Sequence, residues 1–221
     1  MLLEDGRVNP TADNNFAIKL AVEYNYSGIV RLLLKDKRVD PSVDDNYAIQ
    51  LASESGHIEI VQLLLKDKRV DPSVANNLAI RVASQNGYSE IVQILLKDER
   101  VDPSTSDNDA IRSASENGHI QIVQMLLEDV RVDPSADDNY AIRVASKFGH
   151  SEAVNKLLKH ERVDPSAGNN YAIRFASENG HVGVVQILLG DERVDPSSDN
   201  NYAIRMASKN GHIGVVSMLL K

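Results

Sequence analysis

A row of arginines is the most conspicuous chemistry in this sequence. Its members stand 31 residues apart: Arg81, Arg112, Arg143, Arg174 and Arg205. Such a row could bind phosphate groups or an acidic peptide, because a guanidinium group donates hydrogen bonds in a planar fork. It could instead be a structural ladder, in which each arginine contacts a residue three positions earlier on its helix, as Asp109–Arg112 would. We favour the ladder, since a site for one ligand does not need five identical copies.

Two further series have the residue types of metal or ion-pair sites. In one, a histidine follows a glycine in five repeats: His57, His119, His150, His181 and His212. Neighbours in this series are a full repeat apart, so they cannot share one metal ion. In the other, an arginine stands two residues before an aspartate, as in Arg38 and Asp40, and we expect turn chemistry in which the arginine screens the carboxylate. No catalytic, cofactor-binding or metal site is predicted.

Composition argues against several classes of function. The net charge is −8 and the isoelectric point is near 5.2, which disfavours a nucleic-acid partner. The chain has no cysteine, and therefore no disulfide framework or thiolate site. Its apolar runs are too short to cross a membrane, and its first residues lack the pattern of a secretory signal. We expect an intracellular, cytoplasmic protein.

One repeat organises the whole chain. Val-Asp-Pro-Ser begins at 39, 70, 101, 132, 163 and 194, and a variant of it, Val-Asn-Pro-Thr, begins at 8. A fixed period of 31 residues predicts a solenoid, in which each repeat buries its apolar face against its neighbours. We predict a single array over residues 1–221 with seven repeats that start at these positions, residues 1–7 being the end of a preceding partial repeat.

Each repeat has the pattern of a turn, a short helix, a tight turn and a second helix. In repeat 2, Asn46 is expected to cap the first helix, and Gly56 to end it in the left-handed conformation. The stripes expected to be buried are Ala48, Ile49, Leu51 and Ala52 in the first helix and Ile58, Val61, Leu64 and Leu65 in the second. Neither helix is long enough to be stable alone, so stacking must stabilise both.

Three segments of each repeat match a known family. In repeat 2 they are Ala-Ile-Gln-Leu-Ala-Ser at 48–53, Gly-His at 56–57 and Ile-Val-Gln-Leu-Leu-Leu at 60–65. This pattern resembles the ankyrin repeat, and the short units are similar to those of long arrays in protists and large DNA viruses. The resemblance implies an all-α solenoid of seven helix–turn–helix repeats. The histidine that ties one repeat to the next in the family is here mostly arginine, which could make the same tie.

The resemblance also implies a non-catalytic scaffold or adaptor that binds a protein partner on its concave face. Specificity should reside where the repeats differ, near the ends of the first helices. The candidate partner-binding residues are Tyr24, Glu54, Glu116, Asn117, Lys147, Phe148, Glu178, Asn179 and Lys209. Repeat 5 stands out, because Phe148 is an aromatic residue beside Lys147 and could anchor a partner. Alternatively, Phe148 fills space left by Ala153 in the second helix.

The alternative function is a structural spacer or self-associating module that works through its ends. Repeat 7 keeps the full apolar set, including Ile204, Met206 and Leu220. One of its faces should therefore be exposed, which would permit head-to-tail contacts. We expect a monomer, with end-to-end association as the alternative.

Overall fold

The computed structural model describes residues 8–221, and fourteen α-helices and no strand occur among them. The first helices of the seven repeats are α1 (Ala12–Glu23), α3 (Val43–Glu54), α5 (Val74–Gln85), α7 (Thr105–Glu116), α9 (Ala136–Lys147), α11 (Ala167–Glu178) and α13 (Ser198–Lys209). The second helices are α2 (Ser27–Leu33), α4 (Ile58–Leu65), α6 (Ser89–Leu96), α8 (Ile120–Leu127), α10 (Ser151–Leu157), α12 (Val182–Leu189) and α14 (Ile213–Leu219). The longest has 12 residues, and no helix within 8–221 is long and apolar enough to cross a membrane. The predicted all-α class is confirmed, whereas the prediction for residues 1–7 lies outside the described residues.

The chain folds into two compact units, one ending at Thr105 and the other running from Ser106 to Lys221. In the first, α1, α3 and α5 pack side by side, and so do α2, α4 and α6. In the second, α9, α11 and α13 pack side by side, and so do α8, α10, α12 and α14. Each compact unit therefore has a layer of first helices and a layer of second helices. The single array over residues 1–221 stays a prediction.

The apolar stripe of the second helix differs from the predicted one. Ile60, Val61 and Leu64 are fully buried, whereas Ile58 and Leu65 are partly exposed. Ile58 is the first residue of α4 and Leu65 the last, so both lie at the edge of the packed layer. The prediction had the correct helical period but was wrong about these two positions.

Each first helix opens with a left-handed turn that the sequence prediction missed. In repeat 2, Asp44, Asp45 and Asn46 have φ angles of 53°, 55° and 59°. Asparagine and aspartate tolerate this conformation best among residues with a Cβ atom. The prediction that Asn46 caps its own helix is wrong. The Oδ1 atom of Asn46 instead accepts a hydrogen bond from the backbone N–H of Asp71 in the next repeat, at 2.7 Å.

The same asparagine bond recurs between successive repeats. The other pairs, at 2.7–2.9 Å, are Asn15–Asp40, Asn77–Asp102, Asn108–Asp133, Asn139–Asp164 and Asn170–Asp195. The linking asparagines are buried, Asn139 being 9% exposed, whereas Asn201 of repeat 7 is exposed. The residue therefore stabilises the stack and not its own helix.

The arginine before the Val-Asp-Pro turn forms a clamp with a different aspartate from the one predicted in five cases, whereas Arg162 has His160 at the place of that aspartate. Arg38 binds Asp36 through Nε at 3.0 Å and Nη2 at 2.6 Å, and Asp40 instead accepts hydrogen bonds from the N–H and hydroxyl of Ser42. Four arginines at this position also donate to the carbonyl of the valine that opens the same repeat, at 2.6–2.8 Å: Arg69, Arg100, Arg162 and Arg193. The arginine thus links the end of its repeat to the turn at the start of that repeat. The turn chemistry expected of Asp40 is confirmed, and the pairing expected of Arg38 is wrong.

Acid is expected to weaken these clamps. Hydrogen bonds from Arg38 lower the pKa of Asp36 from 3.8 to about 2, and arginine hydrogen bonds likewise lower the pKa values of Asp67, Asp98, Asp129 and Asp191. A carboxyl group whose pKa is lower in the folded state contributes stability above its unfolded pKa, and that contribution disappears as the pH falls through the folded pKa.

The Asp67→Asn variant tests this contribution. We expect it to be less stable than the parent at neutral pH, and to lose less stability than the parent as the pH falls from neutral to below 3.8, where the Asp67 carboxylate with its lowered pKa is protonated. Urea unfolding followed by circular dichroism over that range measures both effects. Parallel pH profiles for the variant and the parent would contradict the prediction.

Candidate functional site

The predicted partner-binding residues all lie at the ends of first helices. Glu54, Glu116, Lys147, Glu178 and Lys209 are the last residues of α3, α7, α9, α11 and α13. The residues that follow a first helix are Tyr24, Asn117, Phe148 and Asn179, and all four are exposed. We call the surface formed by these helix ends the first-helix face. Tyr24 and Glu54 belong to the first compact unit and the other candidates to the second.

Repeat 5 carries a cleft on the first-helix face of the second compact unit. Its volume is about 80 Å³, and it is lined by Glu116, Tyr140, Arg143, Val144, Lys147, Phe148 and Tyr171. Phe148 is 46% exposed, and the Nζ atom of Lys147 lies 5.2 Å from the centre of its ring. The sequence prediction placed three of these lining residues in the site and missed the two tyrosines, Arg143 and Val144. Since nearly half of the Phe148 side chain faces solvent, it remains available for contact with another molecule.

The arginine row forms a ladder between repeats. The guanidinium carbon lies over the tyrosine ring of the following repeat at 4.7–5.2 Å in three pairs: Arg112–Tyr140, Arg143–Tyr171 and Arg174–Tyr202. We call each of these pairs a rung. The ladder interpretation is confirmed for these three arginines, although each contacts the tyrosine 28 residues later and not the one on its own helix. The predicted contact of Arg112 with Asp109 is also present, at 3.6 Å.

Two rungs contain an aspartate from the left-handed turn of the following repeat. Arg112 pairs with Asp137 at 2.8 Å, and Arg174 pairs with Asp199 at 3.2 Å. Gly168 occupies the corresponding position in the Tyr171 rung. Arg143 consequently binds the carboxylate of Asp138 in its own repeat, at 3.1 Å.

A glutamate stands beside the tyrosine of the same two rungs. Tyr202 donates a hydrogen bond to Glu178 at 2.8 Å, and this bond raises the pKa of the Tyr202 hydroxyl. Burial, reinforced by the charge of Glu116, raises the pKa of Tyr140. Lys147 occupies the equivalent position in the Tyr171 rung. The first-helix face is therefore acidic at two rungs and basic at the rung between them.

The comparison with known families agrees with this architecture. A family model described as ankyrin repeats (3 copies) matches residues 1–76, 18–107, 49–138, 80–169 and 142–221, which together span the chain. The chain belongs to the ankyrin repeat family. Ankyrin repeats generally mediate interactions between proteins, and their fold is known as a non-catalytic scaffold. No curated protein matches the chain.

Three histidines of the ankyrin Gly-His turns bind the backbone of the preceding repeat. The Nε2 atoms of His150, His181 and His212 lie 2.9 Å from the carbonyl oxygens of Glu116, Lys147 and Glu178, respectively. Because a carbonyl oxygen only accepts hydrogen bonds, Nε2 must carry the proton in each case. No group of three residues that could hold a metal ion occurs in the described part of this ankyrin chain. These histidines thus position the first-helix ends on which the candidate site lies.

The sequence did contain a signal for the residues that were missed. Across repeats, the cation of a rung and its aspartate are 25 residues apart, as are Lys19 and Asp44, which pair at 2.7 Å. In repeat 3, Ala75 stands at the position of this aspartate. The residue 25 positions before it, at the position of the cation, is the neutral Gln50. Aligning the repeats with this offset would have singled out Arg143, opposite Gly168 of repeat 6, together with Arg81, opposite Ser106.

Proposed function

We propose that this ankyrin chain is a non-catalytic scaffold or adaptor, and that it binds a protein partner on the first-helix face, which is concave in the family. The observation that carries the proposal is the exposed Phe148 beside Lys147 at the cleft of repeat 5. An aromatic side chain that is half exposed and adjacent to a cleft is typical of an interface anchor. The other residues at this position are mostly asparagine or serine, which suit a solvent-exposed helix end.

The packing of the repeats suits binding without large rearrangement. Asparagine bonds link successive repeats within each compact unit, and in the second unit arginine–tyrosine contacts and histidine bonds link them as well. A face held in this way loses little conformational entropy on association. Because the face mixes glutamate with lysine, we expect recognition of a polar surface, and not of a purely apolar peptide.

Affinity capture from a cell lysate, read by mass spectrometry, tests the proposal. The Lys147→Glu/Phe148→Ala variant is expected to lose at least one partner that the parent captures. Val130→Ala is the matched control, since Val130 is 94% exposed and follows α8, away from the first-helix ends. Circular dichroism must show equal helix content in all three proteins. If the double variant and the parent capture the same partners, the assignment to repeat 5 is wrong.

A self-associating module is the second candidate function, and exposed apolar residues in repeat 7 favour it. Ile213 is 80% exposed and Leu220 is 72% exposed. Such side chains could mediate contacts between copies of the chain. Light scattering distinguishes the two functions, because a mass that rises with protein concentration and falls in an Ile213→Glu variant would support self-association.

A further inference from the structure

The Tyr171 rung has the opposite charge to the rungs on either side of it. Each flanking rung combines one arginine with two carboxylates: Asp137 and Glu116 around Tyr140, and Asp199 and Glu178 around Tyr202. The Tyr171 rung instead combines two cations, Arg143 and Lys147, with one carboxylate, that of Asp138, and has Gly168 at the position of the aspartate. It is thus a local positive site in a protein whose net charge is −8.

The guanidinium group of Arg143 in this rung is positioned to bind a carboxylate. Arg143 stacks on the Tyr171 ring at 4.7 Å, in the same arrangement by which Arg174 stacks on Tyr202 at 4.8 Å while it binds Asp199. In the Arg143 rung, the only carboxylate that binds the guanidinium group within the described residues is that of Asp138, whose side chain is 60% exposed. An exposed ion pair of this kind is weak, so an incoming carboxylate can compete with it.

We propose that the Tyr171 rung binds a glutamate or aspartate side chain from an acidic segment of the protein partner. The incoming carboxylate takes the position that the aspartate of the next repeat occupies in the flanking rungs, between Arg143 and Lys147. Phe148, at the same cleft, packs against an apolar residue beside it. This inference rests on the proposed function, and it specifies the chemistry of the partner at that site.

Two observations favour a carboxylate over a phosphate backbone. The cleft of about 80 Å³ offers two cations together with the acidic Glu116, which suits one small anion flanked by polar groups. A nucleic acid needs many phosphate contacts, and the acidic rungs on both sides would repel it.

The Gly168→Asp variant provides the sharpest test, because it supplies the missing carboxylate from within the chain. Aspartate already occupies this left-handed position in repeats 5 and 7, at φ angles of 54° and 53°, so the variant is expected to fold. Ala75→Asp is the matched control, since it adds the same charge at the same repeat position opposite the neutral Gln50. The probes are two fluorescein-labelled, end-capped peptides of repeated Glu-Leu-Ser and Gln-Leu-Ser, with binding read by fluorescence anisotropy.

We expect the parent chain to bind the glutamate peptide about tenfold more tightly than the glutamine peptide. Gly168→Asp should remove about that tenfold preference, and Ala75→Asp should retain it. The proposal is overturned if the glutamate peptide shows no saturable binding, or if Gly168→Asp binds it as the parent does. It is also overturned if Gly168→Ala loses as much affinity as Gly168→Asp, since the added Cβ and not the charge would then be responsible. Tighter binding of a single-stranded oligonucleotide of equal charge would contradict the choice of a protein carboxylate.

Failure of this inference can be told apart from failure of the proposed function. If the captured partner is lost from the Phe148 variant but retained by Gly168→Asp, the partner-binding function stands and the carboxylate site does not. If neither variant loses a partner while the parent still distinguishes the two peptides through Gly168, the charged site is real and the adaptor assignment is wrong.

Discussion

Replacing Gly149 by alanine is expected to lower the free energy of unfolding by about 2–5 kcal/mol. Gly149 has a φ of +81°, a conformation that costs a residue with a Cβ atom about 1–2 kcal/mol. The added Cβ would also lie 2.6 Å from Nδ1 of His181. The ring must then move, which strains the packing and weakens its hydrogen bond to the carbonyl of Lys147. Urea unfolding monitored by circular dichroism measures the loss.

Gly211→Ala separates these two effects. Gly211 ends the first helix of repeat 7 with a φ of +75°, and an added Cβ would meet no atom within 4 Å. This variant should therefore lose only the conformational part, about 1–2 kcal/mol. Hydrogen exchange at the amides of α13 and α14 reports on that repeat if it unfolds separately from the others. Equal losses at Gly149 and Gly211 would show that the contact with His181 contributes nothing.

Asn139→Ala is expected to destabilise the second compact unit by about 2–4 kcal/mol. The Oδ1 atom of Asn139 accepts the backbone N–H of Asp164 at 2.8 Å, and its removal leaves that partly buried donor without a partner, at a cost of about 1–3 kcal/mol. Alanine also tolerates the φ of 58° less well than asparagine, which adds about 1 kcal/mol. Unfolding in urea measures the total.

Two further variants measure separately the two parts of the stability loss expected for Asn139→Ala. Asn139→Gly removes the hydrogen bond but keeps a residue that accepts positive φ, so it should show only the loss from the unpaired N–H. Asn201→Ala changes an exposed asparagine at a φ of 59° in repeat 7, and should show only the conformational part. If Asn139→Gly were as stable as the parent, the asparagine would contribute conformation alone and not a link between repeats.

The period of the sequence was sufficient to predict the helices and the tight turns. Gly56 has a φ of +75° and ends α3 as expected, and Asn25 takes the same role in repeat 1 with a φ of 57°. These features depend on residues within one repeat: a glycine or asparagine relieves a local backbone conformation, and an apolar stripe has the helical period. Seven copies of the same local signal left little ambiguity in the secondary structure.

The predictions that failed concern polar side chains with a choice of partners. Asn46 was expected to cap its own helix, and Arg38 to pair with Asp40, because these partners are near in sequence. In the structure, Asn46 forms its hydrogen bond with Asp71 in the next repeat, and Arg38 forms its hydrogen bond with Asp36. Local spacing cannot rank such alternatives, because Asp36 and Asp40 are equally near Arg38 in sequence, and because stacking brings Asn46 within hydrogen-bonding distance of a residue 25 positions later.

In the candidate site, too, the sequence determined some features and the tertiary structure determined others. The sequence by itself determined the repeat, its helices and the positions at which repeats differ, because these follow from backbone preferences and from the period of the apolar residues. Only the tertiary structure decided that Arg143 lies on Tyr171, that Gly168 leaves the rung without its aspartate and that Phe148 stays half exposed beside them. The physical reason is that Arg143 belongs to one repeat and Tyr171 and Gly168 to the next, so their contact is set by how the helices stack.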